Sequence, residues 1–406
     1  MIRIPLPARG IDLLSDETQM PAGTVRAAVN VDIDRSGQPR RRQGSTLAIS
    51  GADMGSLRKW GNALIAVSGA QIVSIHPDTL AVTPLHTMPS HADVDYTEHN
   101  GDLYAATPFN LLRLRAGAIN PVGVRLPDVL PDVAAHPAGS LTAGQYTVAV
   151  SVVDSTGEES PAKIIGQVQV TTGLILTGLP SGHTWRVYLS PPDGDLLYLS
   201  EEFTSFMPQH VLGSYPQGAA CATLNLSPMP GGHLVRAQGG RLFVARGDTL
   251  WFSEPLRPHL TAPRRSFIQF VGRIRLLEFV DGGAYVGDER GVWWLAGSDP
   301  TQYALKLASD AVPVALSSIV APAHQLGVSG SASTQDMALW LSSHGHMLGA
   351  PGGQVAALNS DRIRLAPEIS GRTALLLRDG TTQVITLTAA PGPASLFGLA
   401  IDTQPQ

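Results

Sequence analysis

One pattern of apolar residues recurs six times along this 406-residue chain and constrains its fold more than any other feature. An apolar triplet is followed about eight residues later by an apolar pair, and a segment containing Gly, Asp or Asn lies between them. These echoes lie at 64–66 with 72–73, 103–105 with 111–112, 242–244 with 250–251, 284–286 with 292–293, 339–341 with 347–348, and 375–377 with 384–385. Because such turn residues accept the positive φ of tight turns, each echo predicts a β-hairpin, and the recurrence predicts a repeat architecture.

The spacing of the echoes indicates a β-propeller. The intervals between equivalent residues are 39, 139, 42, 55 and 37 for Leu64, Leu103, Leu242, Ala284, Leu339 and Leu376. Four of them lie in or near the ~40–50 residues of one four-stranded blade, and helical repeats would need a 3.6-residue period. We therefore expect an all-β fold with a propeller of five to seven blades. Another all-β fold stays open, and the 55-residue interval fits either a decorated blade or a change of architecture.

The 139-residue interval predicts an inserted domain. Four prolines between 121 and 137 are typical of a linker, and alternating strands follow at 141–153, 166–170, 174–176, 184–189, 196–199 and 222–226. That number of short strands fits a fibronectin- or immunoglobulin-like sandwich, with Tyr146 and Trp185 as core aromatics. We divide the chain into an N-terminal arm (1–50), a first propeller part (51–134), the sandwich (135–228) and a second propeller part (229–406).

Composition narrows the class of protein. Gly (42) and Pro (31) make up 18% of the residues, against an average of about 12%, as expected for a turn-rich β protein. Cys221 is the only cysteine, which excludes a disulfide framework and a cysteine zinc site. No apolar run approaches the ~18 residues of a membrane span, and residues 1–7 lack the apolar core of a secretory signal. We expect a protein without a membrane span that is made in the cytoplasm.

The charge distribution argues against DNA binding by the chain as a whole, because 28 basic and 33 acidic residues give a net charge of −5. Two dense basic clusters occur: Arg35 with Arg40, Arg41 and Arg42, and Arg264 and Arg265 with Arg273 and Arg275. A charged edge strand that resists pairing, a contact to an acidic partner subunit, and phosphate binding all fit such clusters. As candidate subunit contacts we take Arg40, Arg41, Arg42, Arg264 and Arg265.

Catalytic and metal-binding motifs are absent from the sequence. It contains no G-x-S-x-G, H-E-x-x-H, P-loop or G-x-G-x-x-G pattern. His344 and His346 straddle a predicted turn without a third ligand nearby, and we expect them to be solvated. The segment 193–195 (DGD) lacks the later acid of a calcium loop and predicts a polar turn. No catalytic, cofactor-binding or metal-binding residue is therefore predicted, nor any cofactor, and we expect no enzyme activity.

Two further groups of side chains have simple structural interpretations. Adjacent acids at 158–159 and 201–202 lie at strand ends, and we expect them to face solvent. The tryptophans Trp251, Trp293, Trp294 and Trp340 lie within the predicted hairpins, where core packing is favoured over a sugar-binding platform.

Several segments resemble one family of viral proteins. Residues 10–16 (GIDLLSD), 21–32 (PAGTVRAAVNVD) and 37–44 (GQPRRRQG) look like the N-terminal arm of the nozzle, or tail-hub, proteins of short-tailed bacteriophages, also called phage stabilisation proteins. Segments 228–234, 239–245, 250–258 and 281–300 resemble the blades of that family, and 141–161 resembles its inserted sandwich. The resemblance covers about half of the chain, and the order of the segments makes it specific.

The resemblance implies a structural virion protein located in the phage tail. Six copies would form a ring beneath the portal and adaptor, as the distal part of the DNA conduit. The implied partners are further copies of the chain, the adaptor or head-to-tail connector proteins, tail fibres, and genomic DNA that passes without sequence-specific binding. We expect the polar arm before Gly44 to cross to a blade or to a neighbour as an added strand. Two alternatives stay open: a propeller-type tail protein that binds or cleaves glycans, and a cellular propeller scaffold.

Overall fold

The computed structural model describes residues 9–33, 38–42, 44, 46–50, 53–213, 218–326, 334–365, 369–378, 381–389 and 396–402. Within these residues it contains β-strands, three 3-10 helices (Glu17–Gln19, Pro300–Gln302 and Ala323–Leu326) and no α-helix. The predicted all-β class is therefore confirmed. Arg35 and the predicted turn at 379–380 lie outside the described residues.

The N-terminal arm forms a two-stranded ribbon with almost no core. Strand β1 (Val31–Ile33) pairs antiparallel with β2 (Pro39–Arg41), with Val31 opposite Arg41. Of the described residues between 9 and 50, Asp12 alone is buried. Its carboxylate accepts the backbone N–H groups of Leu14 and Ser15 and the Ser15 hydroxyl. The arm is thus shaped by local hydrogen bonds rather than by packing.

Blades 1 and 2 are four-stranded antiparallel sheets in which each strand pairs with the next along the chain. Their strands are β3 (Gly55–Trp60), β4 (Ala63–Ser68), β5 (Gln71–Ile75) and β6 (Val82–Thr87), then β7 (Asp95–His99), β8 (Asp102–Ala106), β9 (Leu111–Arg115) and β10 (Ala118–Pro121). The first predicted turn is confirmed, because Gly69 adopts a φ of +56° between β4 and β5.

The insertion is a two-sheet sandwich. Its strands are β11 (Asp132–His136), β12 (Gly144–Val153), β13 (Lys163–Val170), β14 (Gly173–Thr177), β15 (Thr184–Leu189), β16 (Tyr198–Thr204) and β17 (Gln209–Leu212). One sheet has the order β11-β14-β17 and the other β13-β12-β15-β16. Tyr146 and Trp185 are buried between them, as predicted. The strand predicted at 222–226 is instead an irregular segment with one bridge, Leu224 to Ala162.

Blades 3, 4 and 5 repeat the four-stranded pattern after the sandwich. The strands in this region are β18 (Ser227–Pro228), β19 (Leu234–Gln238), β20 (Arg241–Arg246), β21 (Thr249–Phe252), β22 (Leu260–Thr261), β23 (Phe267–Gln269), β24 (Leu276–Val280), β25 (Gly283–Asp288), β26 (Gly291–Ala296), β27 (Ala304–Ser309), β28 (Ile319–Pro322), β29 (Asp336–Ser342), β30 (Gly345–Gly349) and β31 (Val355–Ala357). Blade 3 has the order β19-β20-β21-β23, while β18 and β22 form a separate ribbon. The 55-residue interval reflects a blade with longer connecting segments rather than a change of architecture, because β28 to β31 form a four-stranded sheet like those of the other blades.

Blade 6 contains three described strands, β32 (Ser370–Arg378), β33 (Thr381–Ala389) and β34 (Leu396–Asp402). In blades 1 to 5 the echo marks the second and third strands, but in blade 6 it marks the first and second. The six sheets lie within the predicted range of five to seven blades, and the propeller with an inserted sandwich is confirmed.

Apolar clusters join the blades, because each sheet must bury both faces against its neighbours. Every boundary from blades 1 and 2 to blades 5 and 6 holds one such cluster: Ile72 with Leu112, Leu111 with Val244, Phe243 with Val286, Tyr285 with Trp340, and Leu339 with Val384. Trp294 and Trp340 are buried, and Trp251 and Trp293 are half-buried beside these clusters. Each fully buried large side chain contributes about 1.5–3 kcal/mol to folding.

Candidate functional site

The two predicted arginine clusters lie on different elements. Arg40 and Arg41 are exposed on strand β2 of the arm, and Arg42 pairs with Asp32 at 2.8 Å. Arg264 and Arg265 are exposed in the turn between β22 and β23 of blade 3. Arg265 is 71% exposed, and its nearest acid oxygen, on Glu254, is 3.6 Å away. Arg264 and Arg265 therefore present their positive charge to the outside of the propeller.

A groove of about 430 Å³ adjoins Arg265 on the outer edge of blades 3 and 4. Its walls are Phe267, Ile268, Leu295, Pro300, Tyr303 and Leu305. Phe267 and Leu305 are 38% and 53% exposed, although both are large and apolar. Exposed apolar area of this kind, rimmed by charge, is typical of a surface that meets another protein. We call this feature the outer groove.

Charged side chains link the inner strands of the blades. The first strand of blade 3, β19, contacts the first strands of blades 2 and 4, β7 and β24, which makes these the innermost strands of the propeller. Arg236 on β19 donates to Asp95 on β7 at 2.6 Å and forms a double hydrogen bond with Glu278 on β24 at 2.6 and 2.9 Å. Ser318, just before β28, donates to Glu278 at 2.7 Å. A continuous series of polar side-chain contacts therefore joins blades 2, 3, 4 and 5.

The contacts of Arg236 with Asp95 and Glu278 keep its guanidinium charged. Burial disfavours the Arg236 guanidinium, but Asp95 and Glu278 outweigh that effect and raise its pKa above the ordinary value. The carboxylates of Asp95 and Glu278 are only 12% and 4% exposed. Both need the cation, because an unpaired buried carboxylate is costly.

A second polar contact lies where the propeller closes. Arg372 on β32 is 3.4 Å from the Ser56 hydroxyl on β3 and 3.4 Å from an Asp93 oxygen just before β7. The same Ser56 hydroxyl accepts the Val94 N–H at 2.9 Å. Blade 6 is therefore linked to blades 1 and 2 by hydrogen bonds. We call this contact the closing seam.

A third polar cluster fixes the sandwich against the propeller. Glu158 forms an ion pair with Arg113 on β9, and Arg113 lies 4.0 Å from Asp102. The Glu159 carboxylate accepts hydrogen bonds from Ser151 (2.6 Å), Tyr188 (2.6 Å), Arg186 (2.9 Å) and Thr223 (3.0 Å). In addition, the Glu159 carbonyl oxygen lies 3.0 Å from Nε2 of His259, which directly precedes β22 of the propeller. We call this cluster the sandwich junction.

The expectation that Glu158 and Glu159 face solvent is wrong. Their side chains are only 16% and 12% exposed, because Glu158 packs against Arg113 of blade 2 and Glu159 against Arg186 of the sandwich. Burial raises the pKa of Glu159, but its hydrogen bonds and Arg186 outweigh burial, so the pKa lies below the ordinary value. The expectation for the second pair is confirmed, because Glu201 and Glu202 are 42% and 45% exposed.

His346 also departs from the expectation of a solvated turn histidine. It is fully buried on β30, with Nε2 3.0 Å from the Thr386 hydroxyl of blade 6. Burial lowers its pKa to about 4. Across the described ranges, no group of three His, Cys, Asp or Glu side chains is placed to hold a metal ion. Asp193 lies in a polar turn, as predicted, and accepts the Gln145 N–H at 3.0 Å.

Sequence reasoning missed the Arg236 cluster, although a signal was present. Arg236 and Glu278 each interrupt an apolar strand that precedes an echo, at 234–238 (LVRAQ) and 276–280 (LLEFV). A charge in such a strand is expected to find an opposite charge nearby. The partner could not be identified without the order of the blades.

Comparison with known proteins gives only remote structural similarity. No family model and no curated protein matches the chain. Similar solved structures include the extracellular domain of a candidate hybrid two-component system from B. thetaiotaomicron, at 10% identity and TM-score 0.32 over 83% of this chain and 39% of that one. Another is a candidate 6-phosphogluconolactonase from Bacteroides fragilis, at 12% identity and TM-score 0.30 over 86% and 94%. With TM-scores this low, the propeller assignment rests on the sheet topology.

The chain spans about two fifths of the first of these structures. A third, PorZ of the type-IX secretion system of Porphyromonas gingivalis, has 13% identity and TM-score 0.23 over 91% of this chain and 55% of that one. Among the described residues of this chain, no helix has the length and hydropathy needed to cross a bilayer.

Proposed function

We propose that this chain is a structural virion protein, the nozzle at the distal end of a short bacteriophage tail. Six copies would form a ring beneath the adaptor and surround the path of the DNA. The ordered resemblance of residues 10–44, 228–258 and 281–300 to that family carries the proposal. The protein would contribute shape and subunit contacts rather than chemistry.

The buried charges support such a role. Arg236 with Asp95 and Glu278 joins separate blades, and Glu158 with Arg113 joins the sandwich to blade 2. Buried ion pairs of this kind add little net stability but favour one arrangement of the elements they join. A conduit wall needs that rigidity, because it must hold its shape while DNA is retained and then ejected.

The overall charge also fits a conduit. DNA binds proteins largely through release of counterions from its phosphates by Lys and Arg. A chain with a net charge of −5 lacks that attraction and lets DNA pass. The exposed arginines at 264–265 would then serve contacts to other proteins on the outside of the propeller.

The location of the chain tests the proposal directly. Phage particles should be purified from a lysate of the host strain that carries this gene, and their tails probed with gold-labelled antibody against the chain. We expect label at the tail tip and the intact chain among the particle proteins by mass spectrometry. A phage with a stop codon in the gene should release its DNA prematurely.

Purified protein provides a second test. Light scattering after size exclusion, with and without the adaptor protein, should show rings either alone or on the adaptor. A strict monomer under both conditions that hydrolyses host polysaccharide would replace the nozzle with the glycan-cleaving alternative.

A further inference from the structure

We infer that the outer groove of one copy binds the acidic segment 14–20 of the arm of a second copy. The inference rests on the proposed function, because a ring needs a contact that repeats from copy to copy. To the proposed ring, the inference adds the identity of the two surfaces that would form the contact between copies. A head-to-tail contact of this type closes into a ring when the rotation between copies allows it.

The chemistry of the outer groove calls for an acidic and apolar occupant. Phe267 and Leu305 are exposed in it. Leu307, two residues further along β27, is 47% exposed. Arg264 and Arg265 add two exposed positive charges beside this apolar surface. A partner that covers the groove must supply an apolar side chain together with carboxylates.

The arm of this chain carries that combination. Leu14 is 40% exposed, and Asp16 and Glu17 are exposed immediately after it. The segment is held in one shape, because Asp12 accepts N–H bonds from Leu14 and Ser15, and Asp16 accepts that of Thr18. It therefore presents a preformed acidic surface with one apolar side chain, which lowers the entropic cost of binding.

A second copy, rather than the same chain, is the expected source of the segment. Leu13 donates to the Arg362 carbonyl oxygen at 2.8 Å, which anchors its own segment between blades 5 and 6, whereas the outer groove lies on blades 3 and 4. Among the described residues of the arm, Asp12 alone is fully buried against its own chain. Ordering so many residues without burial is unfavourable, so a surface elsewhere is expected to cover them.

Site-directed cross-linking of the full-length chain tests this contact. In a Cys221→Ser background, one variant carries Leu14→Cys and a second carries Leu305→Cys, and the two are mixed with a bis-maleimide cross-linker. Only a contact between copies joins them. We expect a cross-linked dimer from this mixture and none when Leu305→Cys is replaced by Val82→Cys, whose side chain is 44% exposed on the outer strand of blade 1.

Charge reversal adds a second arm to the experiment. Adding Asp16→Lys and Glu17→Lys to the Leu14→Cys chain should lower the cross-linked yield about fivefold, and Arg264→Glu with Arg265→Glu on the other chain should do the same. Combining both reversed chains should restore the yield. Equal yields with Leu305→Cys and Val82→Cys, no dimer at all, or no response to charge would overturn the inference.

The outcome is separable from that of the proposed function. If the chain is found in phage tails but the Leu14 and Leu305 positions do not cross-link, the inference fails alone. If they cross-link and the chain is absent from virions, the groove contact stands and the nozzle assignment fails.

Discussion

Arg236, on the inner strand of blade 3, pairs with acids on the inner strands of blades 2 and 4. Replacing it by Met leaves Asp95 and Glu278 buried without their cation, which we expect to cost about 3–5 kcal/mol in the free energy of unfolding, measured in urea by circular dichroism. Arg58→Met is the control, because Arg58 and its partner Glu98 are about half exposed, and its loss should cost no more than about 1 kcal/mol. Equal costs for the two variants would contradict the view that Arg236 joins the inner strands.

His346 should make stability depend on pH. Its pKa is about 4 when folded and ~6.5 when unfolded, so between these values the unfolded chain takes up a proton that the folded chain does not. Stability is therefore lost as pH falls from about 6.5 to 4, by up to about 3 kcal/mol. His346→Gln should remove this part of the pH dependence of Tm, while His344→Gln, in the neighbouring turn, should not. If both variants keep the wild-type slope, the buried imidazole is not its source.

Residue-level environments were the least predictable from the sequence. Pairs such as Glu158 and Glu159 follow a turn and precede a proline, a context that usually places acids in solvent. Glu158 is buried because it meets Arg113, which lies 45 residues earlier in sequence. Glu159 is buried because it meets Arg186 and Tyr188, which lie 27 and 29 residues later. His346 is buried for the same kind of reason, since blade 6 covers it through Thr386. Because these contacts join residues that are far apart in sequence, no local sequence pattern predicts them.

At the scale of elements, the closing seam differs from the other blade boundaries. Arg372 makes long contacts, 3.4 Å, to Ser56 and Asp93, and it is 40% exposed. Arg372→Ala should therefore loosen β32 and the start of β3. We expect about fivefold faster amide hydrogen exchange there, equivalent to about 1 kcal/mol of local stability.

Arg246→Ala provides the comparison for this measurement, because Arg246 is also exposed at a strand end but lies in blade 3. It should leave the exchange of β3 and β32 unchanged. Unaltered exchange in Arg372→Ala would mean that other contacts hold the propeller closed.

The strands could be predicted more fully than their partners. Hairpins at the echoes were predictable because apolar alternation and Gly turns are local signals, as at Gly69 and Gly247. The sandwich strands Asp132–His136 and Gln209–Leu212 were not, because both are short and carry few buried residues. Blade 6 shows that the echo predicts a hairpin but not the place of that hairpin within the blade. That place depends on which strand lies innermost.

At the scale of the whole molecule, polar clusters connect units that each have their own apolar core. The sandwich packs around Trp185, and the propeller packs at its blade boundaries. The sandwich junction joins the two through the ion pair of Glu158 with Arg113 and the contact of the Glu159 carbonyl oxygen with His259. The chain should therefore respond to stress as one unit while that junction is intact.

Calorimetry can test this coupling. The wild-type chain should unfold in one transition, whereas Arg113→Met should unfold in two, because the sandwich loses its ion pair to blade 2. Glu202→Gln is the matched control, since Glu202 pairs with Arg186 within the sandwich and is 45% exposed. It should leave the single transition intact. Two transitions in the wild type, or one in Arg113→Met, would show that the sandwich junction does not couple the domains, and the rigidity argued for the conduit would then have to come from contacts between copies.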